Sequence, residues 1–170
     1  MNSTLAVLIA VAKDRFKKRR KNNVKGVGFF FMEAKKLLLS GIAAAIVYFI
    51  VCFIISSIIV MFLPYDIFSL PGIRSITDPM MMMFFLYPFV LAFAMAYVYQ
   101  LTEKKFDGDW KHKGMKFGFM TWILAGFPNT FLVFSSMNYP IGFTINNFVS
   151  AFFSMMAMGL IIAKICEKKK

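Results

Sequence analysis

Few side chains in this 170-residue chain have any prospect of chemistry, and most of them are amides and hydroxyls set into apolar surroundings. Gly126-Phe127-Pro128-Asn129-Thr130 lies in one apolar run, and Asn146, Asn147, Ser150 and Ser154 lie in the next. If the Asn138-Tyr139-Pro140 link reverses the chain, Asn129 comes to the depth of residue 149, within reach of Asn146 or Ser150. Asn129, Thr130, Asn146, Asn147 and Ser150 then have two uses. They can line a small outward-facing polar pocket for a ligand or ion. The more common use is interhelical hydrogen bonding, at about 0.6–2 kcal/mol per contact in membranes. Pro128 has no N–H for the carbonyl of Leu124, so a kink there frees an acceptor.

Other chemistry is poorly served. There is one histidine, His112, and the two cysteines, Cys52 and Cys166, lie far apart in different apolar segments. Neither a zinc site nor a disulfide framework follows from that spacing. Met80 to Met83, with Met95, Met155, Met156 and Met158, suggests Cu(I), which favours thioethers. Consecutive methionines project around a helix, however, and fill apolar surface more readily than they enclose an ion. Asp107-Gly108-Asp109-Trp110-Lys111-His112 reads as a Gly-centred turn. No general base stands near a membrane-embedded nucleophile, so no enzymatic activity is expected, and neither a metal nor a cofactor.

The charges are the loudest feature. Lys and Arg number 20 against 8 acids, a net charge of +12, yet 59% of the residues are hydrophobic. That is too apolar for a soluble nucleic-acid binder and far too apolar for a disordered basic chain. The run from Lys13 to Lys25 points to the anionic cytoplasmic leaflet as partner. Lys17, Lys18, Arg19, Arg20 and Lys21 would contact its headgroups, and no nucleic acid is called for.

Four uncharged runs must carry these residues: Leu37–Leu63, Met80–Leu101, Phe117–Met137 and Ile141–Ala163, of 27, 22, 21 and 23 residues. Each is long enough for a bilayer-spanning helix, the only open-ended form that satisfies its own backbone in lipid. The first would be about 40 Å long and should tilt or project. Leu63-Pro64 should stop it, and Asp78-Pro79 should cap and start the second. Trp110, Trp122, Tyr65, Tyr97, Tyr99 and Tyr139 are expected near the interfaces. Nineteen of the twenty cations fall in segments 1–36, 102–116 and 164–170, and Arg74 alone falls between the first two runs. The positive-inside rule then places both termini in the cytoplasm. The short apolar stretch Leu5 to Ala12 is expected to lie in the interface.

Small pairs, namely Gly114/Gly118, Gly41/Ala45, Ala92/Ala96 and Gly159/Ala163, suit close helix packing, chiefly within the chain. No Asp, Glu, Lys, Arg or His lies inside the four runs. Ion-coupled carriers and proton pumps generally need one there.

Lys113-Gly114-Met115-Lys116-Phe117-Gly118, followed by Gly126-Phe127-Pro128, resembles a segment of small, uncharacterised prokaryotic four-span integral membrane proteins. The resemblance covers the last two runs. It implies a four-helix membrane protein and no particular activity. The expectation is therefore an all-α transmembrane four-helix bundle with cytoplasmic N- and C-termini, multi-pass in the cell membrane. Residues 1–36 form a basic interfacial segment, 37–166 the membrane domain and 167–170 a basic tail. The expected role is non-enzymatic, as an accessory or scaffold subunit bound to a membrane protein partner or a second copy. The alternative is a small transporter or channel for a neutral or apolar solute.

Overall fold

The computed structural model describes residues 34–167. The chain divides into two units, 1–36 and 37–170, and nearly all of the first lies outside the described residues. Among the described residues there is no strand. Four helices are long and apolar enough to cross a membrane: Ala34–Phe62, Pro79–Lys105, Trp110–Ser136 and Ile141–Cys166. They are called the first to fourth spans below.

The span ends follow local chemistry. The first span closes with Leu63 N–H bonded to the Ile59 carbonyl at 2.8 Å, directly before Pro64. Asp78 Oδ1 accepts from the Met80 amide at 2.8 Å, and Pro79 occupies the first helical position. The third span begins at Trp110, earlier than the uncharged run that starts at Phe117. Gly108, at φ +101°, turns the chain, and Asp109 caps the new helix by accepting from the His112 amide at 3.2 Å. Lys104 and Lys105 thus sit on the last turn of the second span, and Lys111, Lys113 and Lys116 on the first turns of the third. The expected loop over 102–116 shrinks to 106–109, because long cationic stems extend out of a helix end without breaking it.

Both prolines inside spans are preceded by a turn that is not α-helical. Pro79–Leu86 is a 3-10 helix, and the α-helix proper is Tyr87–Thr102. Pro88 cannot donate to the carbonyl of Phe84, and the Tyr87 N–H takes that acceptor instead. In the third span, Trp122–Gly126 is a π-helical turn in which the Phe127 N–H reaches the Trp122 carbonyl. A wider turn before Pro128 absorbs the missing donor there. The irregularity expected at Pro128 is therefore a π turn. The tight one before Pro88 departs from the plain α-helix expected from Met80.

The third and fourth spans pack backbone to backbone. A methyl group built on Gly118 would stand 2.6 Å from the Met155 carbonyl oxygen, and one on Gly114 would stand 2.8 Å from the Gly159 oxygen. The Gly114/Gly118 pair thus serves packing within the chain. On the other side of the fourth span, Met158 and Ile162 join Ala44, Ala45, Ala92, Met95, Ala96 and Tyr99 in the buried core. Small residues at the first and second spans again set the spacing, with Gly41 lying under the ring of Phe93. The opposite face of the first span carries Ile42, Ile46, Ile50, Ile54 and Ile58, one every four residues, each 45–54% exposed.

Candidate functional site

Asn146 and Ser150 of the fourth span do come together, but their partners lie on the first span and just beyond its end. Asn146 and Ser150 stand one turn apart on one helix face. Ser150 Oγ donates to Asn146 Oδ1 at 2.9 Å, and Asn146 Nδ2 donates to the Tyr65 hydroxyl. Ser150 Oγ also lies 3.5 Å from Ser56 Oγ, which in turn is 4.0 Å from Cys52 Sγ. Tyr65, Asn146, Ser150, Ser56 and Cys52 form a polar file along the seam between the two spans. Ser154, the next turn along, is fully buried, and its Oγ has no hydrogen-bond partner.

The remaining expected members stand apart. Thr130 is buried, but its Oγ1 donates to the Gly126 carbonyl of its own helix at 2.9 Å. Asn129 is exposed and Asn147 is half-buried. The hydrogen bonds of Asn146 and Ser150 run to the first span and to Tyr65 instead of to Asn129. The π turn alters the phase of the third span just before Asn129, so a depth estimate from an ideal helix misplaces it. Lys17, Lys18, Arg19, Arg20 and Lys21, with the expected interfacial stretch Leu5 to Ala12, lie outside the described residues.

The connection between the first two spans closes over this end of the seam. Tyr65 packs edge-on to Phe143 with ring centroids 5.7 Å apart, and Phe143 meets Tyr139 at 5.1 Å. The Tyr139 hydroxyl donates to the Pro71 carbonyl at 3.1 Å. Gly142 must be glycine for this approach, since a methyl there would stand 2.8 Å from the Leu63 carbonyl. Within the connection, Asp66 caps the 3-10 turn Ile67–Ser69. Arg74 holds Asp78 at 2.7 Å. The guanidinium, together with the Met80 amide, keeps the Asp78 carboxyl below its ordinary range.

Between the third and fourth spans runs a groove of about 240 Å³, lined by Phe127, Phe131, Phe134, Ile145 and Phe148, with Thr130 and Thr144. With the Thr130 hydroxyl committed to its own backbone, the groove suits apolar matter. Trp122 lies near the middle of its helix, ringed by Phe119, Phe127, Phe148 and Phe152 at 5.1–6.0 Å, and its buried indole N–H has no partner. Tyr99 also turns inward, against Phe106 and Phe117.

Among the described residues no group of three His, Cys, Asp or Glu side chains is placed to hold a metal. Met80, Met82 and Met83 are exposed and fan around a 3-10 turn, where successive side chains point about 120° apart.

Ser56 and Cys52 were the partners that the sequence did not single out. Their four-residue spacing in the first run was a readable signal, but one that names no neighbour. No family model, curated protein or solved structure matches the chain.

Proposed function

We propose that this chain is a multi-pass cell-membrane protein with both termini and the 106–109 turn in the cytoplasm. In this reading it acts without chemistry of its own, as an accessory or scaffold subunit held laterally to a membrane protein or a second copy. The observation that carries the reading is the first span. Only 6% of its most apolar window is buried, and it turns a regular isoleucine ridge outward. Ridges of this four-residue spacing are what helices interdigitate. The polar file also favours association over solute passage, because Asn146 and Ser150 spend their hydrogen bonds on each other, on Tyr65 and on Ser56 of the first span.

Purification in mild detergent followed by mass spectrometry tests the role. A stoichiometric partner or a defined homo-oligomer supports it, and a clean monomer at full recovery sinks it. Orientation is tested separately, in a background lacking Cys52 and Cys166. A Thr77→Cys variant should react with an impermeant maleimide on intact cells. An Asp107→Cys variant should react only after permeabilisation, and the reverse pattern would invert the topology.

A further inference from the structure

The glycine seam fixes more than the third and fourth spans. A methyl on Gly114 would meet Ala163 Cβ at 3.1 Å, so the first turn of the third span is locked beside the last turns of the fourth. Trp110, the first residue of the third span, therefore lies against Lys164, close to the end of the fourth. Lys164 Nζ is 5.5 Å from the Trp110 ring centroid, and Lys111 Nζ is 5.7 Å from the same centroid. Two ammonium groups at most about 11 Å apart thus share one indole at the membrane boundary.

A lysine over an indole is favourable, but a second lysine brings like charge to the same place. Arg74 pairs with Asp78 at the other end of the bundle. Asp109, two residues before Lys111, is engaged in capping its own helix through the His112 amide, and Glu167, three residues after Lys164, makes no ion pair with it among the described residues. Among the described residues neither cation has a carboxylate within ion-pair distance, and both stand on helix ends that the backbone seam holds rigid. An anion with several acceptor oxygens relieves their repulsion and can draw both ammonium groups to itself, since each rides on a flexible four-carbon stem. At this depth a tryptophan ring lies among lipid headgroups.

We propose that Lys111, Lys164 and Trp110 form a discrete binding site for a phosphate group, carried by an anionic phospholipid whose glycerol and upper acyl region lie against the indole. The inference rests on the membrane placement of the chain and not on its proposed role as a subunit. It fails or stands independently of any protein partner.

The test uses the full chain in neutral detergent, where no charged bilayer surface contributes. Native mass spectrometry would follow titration with dioleoyl phosphatidylglycerol, and with dioleoyl phosphatidylcholine as the zwitterionic reference. The double variant Lys111→Gln/Lys164→Gln should weaken phosphatidylglycerol binding about ten-fold. Lys104→Gln/Lys105→Gln removes the same charge from the same end of the bundle and should weaken it about two-fold or less. Lys111→Arg/Lys164→Arg should restore binding, and circular dichroism would confirm unchanged helix content in each variant. Equal losses in the two glutamine pairs would reduce the site to diffuse attraction and overturn the proposal, as would no loss in the first. Millimolar inorganic phosphate distinguishes the sources. Displacement of the lipid would assign the site to free phosphate, and retention would assign it to the lipid headgroup. Both results uphold a phosphate site at these residues.

Discussion

Replacing Gly118 by alanine sets two physical effects directly against each other. In an isolated helix the change is favourable by about 1 kcal/mol, since glycine is a poor helix former. In this seam the added methyl would lie 2.6 Å from the Met155 oxygen and 2.8 Å from the Met156 Cα, and neither atom can rotate away. Non-bonded carbons rest about 3.5–4.0 Å apart, so the third and fourth spans must separate by roughly 0.5–1 Å. A gap of that size forfeits a quarter to a half of the dispersion energy of the contacts it opens. Overpacking of this kind costs about 1–3 kcal/mol. After the propensity gain is subtracted, a net loss of up to about 2 kcal/mol is expected. Titration of mixed micelles with sodium dodecyl sulfate, followed by circular dichroism, measures it. Gly114→Ala should cost a similar amount, and the double variant less than the sum, because one separation relieves both clashes. Gly41→Ala, which meets the movable ring of Phe93, should cost less than either. Increased stability of Gly118→Ala would refute the tight seam.

Asn146→Leu and Tyr65→Phe should each destabilise by about 0.6–2 kcal/mol, and a double-mutant cycle between them should give a positive coupling. Independent, additive effects would break the proposed file. Trp122→Phe removes a buried donor that has no partner while keeping a ring in the aromatic cage, so it should be neutral or stabilising. Trp122→Ala should lose about 3–5 kcal/mol in the same titration. Asp78 is held below its ordinary pKa by Arg74 and the Met80 amide. Its contribution is therefore complete above the carboxylate's unfolded value and is lost as pH falls through the lower folded one. Carboxyl carbon chemical shifts should show this titration, and Arg74→Gln should move its midpoint upward.

Much of the architecture was legible because membrane spans are set by length and charge, and both are local properties. Pro64, Asp78-Pro79 and the 138–140 link marked ends that the structure keeps. The start of the third span was hidden because Lys111, Lys113 and Lys116 look like loop when charge alone is read, whereas the Asp109 cap decides the matter. The polar site was half legible. Asn146 and Ser150 share a face by their spacing alone. Their partners on the first span, Ser56 above all, depend on which apolar faces meet, and a helix apolar all round carries little periodicity to say so. Asn129 was misplaced for a related reason, since the turn that shifts its phase appears only when the hydrogen bonds are traced. The cage of phenylalanines around Trp122 was not legible, because the interfacial preference of tryptophan is a statistical tendency that names no neighbours.

The π turn at Trp122–Gly126 also bears on how this sequence can change in length. Such a turn amounts to one residue added to a regular α-helix. Removing one residue anywhere else in a span rotates everything beyond it by about 100° and turns buried faces out. Removing one here, Ala125 for instance, would return the segment to ordinary helical pitch while Thr130 and Phe134 keep their bearing relative to Gly114 and Gly118. The third span thus has one position where its length can vary by a residue without rewriting which side chains meet the fourth.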